Sequence, residues 1–211
     1  MMRINNHKGF TLVEMLIAIS IFAVVATLAS SLFSTFANNQ KRTKVSQELL
    51  NNAQYALEII SREVKNNEII GFGLSSNLAA RCKGLEILYS EYTQCLLFVR
   101  ENGETAAFLY GGSQLSYTQL DCTEEANGVY TDCDIANGQQ PAIMLSADYN
   151  NVDVSSFEFF LSPEENPYFD DSVNQQPRVT IKMAVKYSST KIVEQVTHYL
   201  QTTVSSRVYK R

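Results

Sequence analysis

Glu14 is the first residue of this chain whose chemistry needs a reason. It sits near the start of the apolar stretch "GFTLVEMLIAISIFAVVATLASSLF". An ionised carboxylate in hydrocarbon costs about 2.5–3.5 kcal/mol even on the gentler insertion scales. A group held there needs a partner of opposite charge, because an unpaired buried charge is strongly unfavourable. The other groups able to do chemistry lie far downstream. Cys82, Cys95, Cys122 and Cys133 make an even set with no C-x-x-C spacing. The only histidines are His7 and His198, too few to complete a zinc site of the usual kind. Disulfides are the better reading of the cysteines. Three connectivities are possible, with neighbour pairing, Cys82 to Cys95 and Cys122 to Cys133, preferred.

A cluster of acids, Asp121, Glu124, Glu125, Asp132 and Asp134, suggests calcium. The D-x-[DN]-x-[DN]-G spacing that wraps the ion is missing, and Ala136 stands where a third oxygen ligand belongs. A solvated acidic loop, with no metal and no cofactor, is the reading preferred. His198 reads as a structural or edge-strand histidine. No G-x-S-x-G elbow, phosphate loop or H-E-x-x-H occurs, so the chain is read as no enzyme.

The elements that must position these groups follow from periodicity. From Phe10 to Phe36 no Gly or Pro occurs and Glu14 is the only ionisable residue. As a helix this run extends about 40 Å, enough to cross a bilayer. Beyond it, Val45, Leu49, Ala53, Ala56, Ile60 and Val64 recur at helical spacing as one apolar stripe. Gly71 is the first breaker, which predicts one long helix reaching residue 70. Its amphipathic half is expected to seat against a soluble domain, and its stripe to serve in pairing with partner subunits.

The rest reads as strands. "RVTIKMAVKYS" alternates, with Val179, Ile181, Met183, Val185 and Tyr187 on one face. "CLLFVRENGETAAFLYGG" places two strand-like runs around Asn102-Gly103, a hairpin signal. "VDVSSFEFFL" changes parity between Val154 and Phe157, which predicts a bulge at Ser155-Ser156. The four-residue spacing of Ile192, Val196, Leu200 and Val204 also fits a helix, but their β-branched, Thr-rich surroundings favour a strand. The stretches 121–141 and 162–177 read as polar surface loops. The fold class expected is α+β: a long N-terminal helix, transmembrane in its first half, packed on an antiparallel β-sheet domain.

"KGFTLVEMLIAISIF" resembles the prepilin-type N-terminus of type IV pilins and type II secretion pseudopilins. The pattern is a basic leader ending in Gly, then Phe-Thr-Leu-x-Glu running into an apolar helix, and Gly9, Phe10, Thr11, Leu12 and Glu14 fill it. The resemblance implies a pilin-like fold and cleavage between Gly9 and Phe10 by a prepilin peptidase. The same enzyme class then N-methylates Phe10, and Glu14 pairs with the terminal amine of a neighbouring subunit during assembly. "QYALEIISREVKNNEIIGFG" and the closing "TTVSSR" are similar to W-type minor pilins and J-type pseudopilins. This specific similarity covers about a fifth of the chain, and residues 72–176 carry none of it.

The division expected is a leader (1–9), a transmembrane and assembly helix (10–36), its amphipathic continuation (37–70) and a β-rich domain (71–211). The function implied is a non-catalytic minor pilin or pseudopilin that helps initiate or cap a filament. Its partners would be the processing enzyme, other pilins or pseudopilins, and the membrane. A net charge of −5 on 211 residues, with no sustained basic stripe, argues against direct nucleic-acid binding. Localisation would be the inner membrane, with the N-terminus cytoplasmic and the domain periplasmic or extracellular. Arg3 and Lys8 before the helix and Lys41, Arg42 and Lys44 after it leave the positive-inside rule ambiguous, whereas four cysteines favour an oxidising compartment. Two other readings of the N-terminus compete: a secretory signal cut near Thr27 and Ala29, and a plain anchor. The alternative function is a membrane-tethered binding or adhesion domain that does not polymerise.

Overall fold

The computed structural model describes residues 9–72, 92–124, 130–136, 140–162, 176–191 and 194–207. Helix α1 runs from Leu12 to Asn66 without a break, as the lack of Gly and Pro allows. The chain divides into two units, Met1–Thr43 and Lys44–Arg211.

In the second unit the stripe of α1 is buried. Leu49, Ala53, Ala56, Leu57, Ile60 and Val64 join Phe98, Phe108, Phe157, Ile181 and Val204 in one apolar core. This corrects one expectation. The stripe from Leu49 to Val64 is consumed by the chain's own strands and is not free to pair with a partner's helix. An amphipathic helix has one apolar face, and here its own domain takes it.

The helix also ends earlier than the first breaker suggested, at Asn66 and not at residue 70. Asn67 donates its backbone N–H to the Glu63 carbonyl at 3.0 Å and its Nδ2 to the Glu63 carboxylate at 2.7 Å. Beyond that point Glu68–Phe72 forms strand β1, where β-branched Ile69 and Ile70 prefer to be.

Strands β2 (Tyr92–Val99), β3 (Thr105–Gly111), β4 (Gln114–Glu124) and β5 (Tyr130–Ile135) continue the antiparallel sheet in the order β1-β2-β3-β4-β5. Strand β6 (Ala142–Leu145) also pairs with β4. The hairpin between β2 and β3 turns at the predicted Asn102-Gly103. Its loop has three residues, with Arg100 N–H bonded to Glu104 O and Gly103 N–H to Arg100 O, both at 2.9 Å. Gly103 takes the left-handed position, φ 83°, where a glycine completes a type I turn with a bulge. Strand β3 is buried on both faces: Ala106 and Phe108 enter the main core, while Ala107 and Leu109 enter a second cluster with Cys95, Leu120 and Cys133.

Helix α2 (Ala147–Asn150), capped by Ser146, precedes a second antiparallel sheet of β7 (Val152–Ser162), β8 (Arg178–Tyr187) and β9 (Thr197–Ser205). The parity change in β7 is the predicted bulge, a register shift between Val154 and Ser156. It turns both Val154 and Phe157 into the core. The stretch 121–141 differs from the expected loop. Residues 121–124 finish β4, and 130–135 make β5, so much of it is a strand hairpin. Its polar alternation carries little burial signal, and the pairing partner lies a turn away in sequence.

Candidate functional site

Thr11 sets the start of α1. Its Oγ1 accepts the backbone N–H of Glu14 at 3.3 Å, and its carbonyl accepts the N–H of Met15 at 3.2 Å. This is N-cap geometry, and Thr11-x-x-Glu14 has the spacing of a capping box. That signal was legible in "TLVE" and was missed by a reading that asked only for a distant partner for Glu14. The cap places Glu14 in the first helical turn, where the free N–H groups and the helix dipole favour a carboxylate. Gly9 and Phe10 precede the helix, and both are exposed, Phe10 at 78%. A peptide bond between two exposed residues outside the helix is open to a protease.

Along the first unit the apolar side chains Leu16, Ile19, Phe22, Val25, Leu28, Leu32 and Phe33 all face outward. The helix is long and apolar enough to cross a membrane. Three of its hydroxyls are satisfied within it: Ser20 donates to Ile17 O, Thr27 to Val24 O, and Ser30 to Ala26 O at 2.8–2.9 Å. Hydrocarbon offers no such partners, so this internal pairing is the arrangement a spanning helix needs.

Cys122 and Cys133 are joined, strapping β4 to β5. Closing a loop of this size stabilises a domain by about 3 kcal/mol in the chain-entropy model. Cys95, 2% exposed, is also disulfide-bonded; Cys82 and Glu125 lie outside the described residues. Among the described residues no group of three or more His, Cys, Asp or Glu side chains is placed to hold a metal, and Asp121 and Asp134 are backbone register partners in the β4–β5 ladder. His198 lies on β9, half-buried, with Nε2 2.8 Å from the hydroxyl of Ser46.

A polar network, not foreseen from the sequence, ties the end of α1 to the first sheet. Arg100 donates to Glu63 at 3.2 Å and to the Tyr117 hydroxyl at 2.7 Å, and pairs with Glu104 at 3.6 Å. Burial pushes the Tyr117 phenol up, Glu63 and Glu104 add to the rise, and Arg100 opposes it. Beside this network a cleft of about 820 Å³ is lined by Lys65, Asn67, Arg100, Asn102 and Arg207. The long-range contacts that build the network leave no local pattern in the sequence.

Residues 4–30 match the family model of the prokaryotic N-terminal methylation motif. That stretch contains Gly9, Phe10, Thr11 and Glu14. No curated protein and no solved structure matches the chain. The motif supports the type IV pilin and pseudopilin superfamily and a subunit of that type, anchored by its apolar helix. It implies processing by a prepilin peptidase and assembly with other pilins.

Proposed function

We propose that this chain is a minor pilin or pseudopilin, a non-catalytic subunit that helps initiate or cap a type IV pilus or type II secretion pseudopilus. The observation that carries the reading is the methylation motif over residues 4–30 coinciding with a helix that Thr11 caps one residue after the Gly9–Phe10 bond. Cleavage there makes Phe10 the N-terminus, followed at once by the cap and by Glu14. A free terminal amine and a carboxylate one turn into the helix are the two charges that cancel between neighbouring subunits in a medium of low dielectric. The resemblance to W-type pilins and J-type pseudopilins rests on Arg62, Glu63, Val64 and Lys65 at the end of α1 and on the final "TTVSSR". The β-rich domain faces an oxidising compartment, with Cys82 bonded to Cys95 beside the Cys122–Cys133 bridge.

Intact mass of the chain extracted from membranes tests the reading. The expected product has lost nine residues, leaving 202 (211 − 9), and carries one methyl group on the amine of Phe10. An unprocessed chain would favour a plain tethered domain. A chain beginning near Ser30 would mean a secretory signal. Either outcome overturns the proposal.

A further inference from the structure

The stripe of α1 from Leu49 to Val64 is used up within the domain, so a partner of the soluble part must meet another surface. Strand edges are the natural place to look, since an open edge displays unpaired N–H and C=O groups. Most edges here are closed or blunted. Strand β1 has five residues and an irregular register, β6 has four, and β5 carries Asp132 and Asp134. Strand β7 spends two of its outer amides on the first sheet, Val154 N–H on Ser113 O at 3.0 Å and Phe159 N–H on the Gln94 side chain at 3.1 Å.

Strand β9 is different. Its nine residues, "THYLQTTVS", contain no Lys, Arg, Asp, Glu or Pro, and its ladder with β8 runs without a bulge. Tyr187 N–H bonds to Val196 O and Ser206 N–H to Pro177 O. The register between these two bonds turns the backbone groups of His198, Leu200, Thr202 and Val204 toward β8. Those of Thr197, Tyr199, Gln201, Thr203 and Ser205 point the other way. Among the described residues no strand pairs with that side. Tyr199 is 84% exposed, and Leu200, on the core side, is only half-buried.

We propose that the open edge of β9 receives a β-strand from a different subunit of the same assembly. The proposal rests on the filament-subunit reading above and names one of its contacts. A second copy of this chain fits poorly for a geometric reason. Ser46 lies beside His198, while Lys65 O accepts the N–H of Arg207 and Asn67 O accepts the Ser206 hydroxyl. Residues 46–67 therefore run alongside β9 in the same direction. Antiparallel pairing of β9 with its own copy would turn one of the two 46–67 helix segments end for end, so that the Ser46 ends, which lead back to the apolar segments, would lie at opposite ends of the pair. Parallel self-pairing would set the core-side row of Leu200 beside the solvent-side row of Tyr199 and Gln201, mismatching the faces. A strand with an edge of the opposite hand avoids both conflicts.

The chemistry of that strand follows from its surroundings. On the α1 side it presents apolar residues to Leu200. On the solvent side it presents acids, because β8 exposes Arg178, Lys182 and Lys186 one strand further in, about 10 Å from the added strand. Main-chain hydrogen bonds supply the affinity and the side-chain rows the selectivity.

Gln201→Pro tests this in the full-length chain in its native membrane. Proline there removes one outward N–H and none of the bonds to β8, whereas Gln201→Ala removes only the side chain. The tagged chain is solubilised, and co-purifying subunits that carry the same N-terminal methylation motif are quantified by mass spectrometry. The expected result is at least a tenfold loss of these subunits with Gln201→Pro and no loss with Gln201→Ala. Should the proline variant fold less well, Tyr199→Lys combined with Thr203→Lys blunts the edge and leaves the ladder intact; the same loss is required. Equal recovery from processed wild type and edge variants overturns the edge pairing and leaves the filament-subunit reading standing. Disulfide-linked dimers of this chain formed through Gln201→Cys overturn the assignment to a different subunit. An unprocessed chain removes the underlying reading and this proposal with it.

Discussion

Glu14 and Tyr117 are carboxylate and phenol under opposite constraints. Glu14 lies in the first turn of a helix whose sides are apolar and exposed, so its stabilisation comes from the helix N-terminus and from whatever cation a neighbour supplies. Gln at this position inserts into hydrocarbon more easily than Glu. Glu14→Gln is therefore expected to leave processed protein in the membrane while lowering its recovery in filaments; equal recovery of mutant and wild type from sheared filaments would count against charge pairing. Tyr117 belongs to the soluble domain, and its pKa stands above the ordinary phenol value of 10.0, first through burial. Tyr110 is raised for the same leading reason, with Asp153 adding to it. A raised folded pKa means that the unfolded chain ionises first. The stability tied to these two phenols is thus fully present below about pH 10 and is lost as pH rises through the folded values. Removing the Arg100 cation takes away the one influence that lowers Tyr117. In an ultraviolet titration, with Tyr117→Phe as the subtraction, Arg100→Gln should ionise Tyr117 at higher pH than wild type does. An unchanged or lower midpoint would mean that the guanidinium does not act on the phenol.

At the scale of elements, α1 owes its place in the domain chiefly to small and aliphatic residues, to which the half-buried Arg100–Glu63 pair adds. Ile60 and Val64 are fully buried, Ala53 and Ala56 let the strands approach closely, and the exposed Arg62–Glu58 pair is of a kind that contributes little. Ile60→Ala should therefore destabilise the domain by about 2–5 kcal/mol, read from urea denaturation of the full chain in detergent, whereas Arg62→Ala should change it by less than about 1 kcal/mol. A small effect of Ile60→Ala would mean that the helix is not seated on the sheet. This core was readable in advance because its residues repeat with the period of the element that holds them. The stripe of α1, the alternation of β8 and the Ser155-Ser156 parity change each announce a buried face. The β4–β5 hairpin was not readable, since "LDCTE" and "YTDCDI" mix acids with cysteines, and its buried row is short, Leu120, Cys133 and Ile135 with Cys122 against them. The end of α1 at Asn66 depends on Asn67 and Glu63 closing the last turn, a choice among local hydrogen bonds that the next glycine does not mark. What occupies an apolar stripe is a third kind of question. Periodicity shows that the stripe of α1 must be covered, and only the assembled core shows that the chain covers it itself.

For the whole molecule, the contrast between helix and domain bears on where in a filament the subunit belongs. From Met15 to Phe36 the helix presents an apolar surface interrupted only by Ser and Thr, which a helix bundle or bilayer can accept. The domain is selective. The proposed cleavage would remove residues 1–9, with Arg3 and Lys8 and no acid, giving a side-chain charge of 15 − 22 = −7. A shaft subunit meets its own copy at every helical step, and like charges repeated across each contact disfavour that packing. The hairpin of β4 and β5 concentrates the acids, with Asp121 opposite Asp134. The uncharged β9 edge, in turn, has a hand that suits a different strand better than its own copy. Both features favour a position with unlike neighbours, at or near a filament tip. The chain is therefore expected to co-purify with other subunits bearing the methylation motif in near-equal amounts, and to be scarce in sheared filaments relative to the shaft protein. Quantitative mass spectrometry of the two fractions measures this directly. If the chain proves to be the most abundant protein of purified filaments, its acidic hairpin must pack against its own copies, and the tip placement falls while the processing of Gly9–Phe10 can still hold.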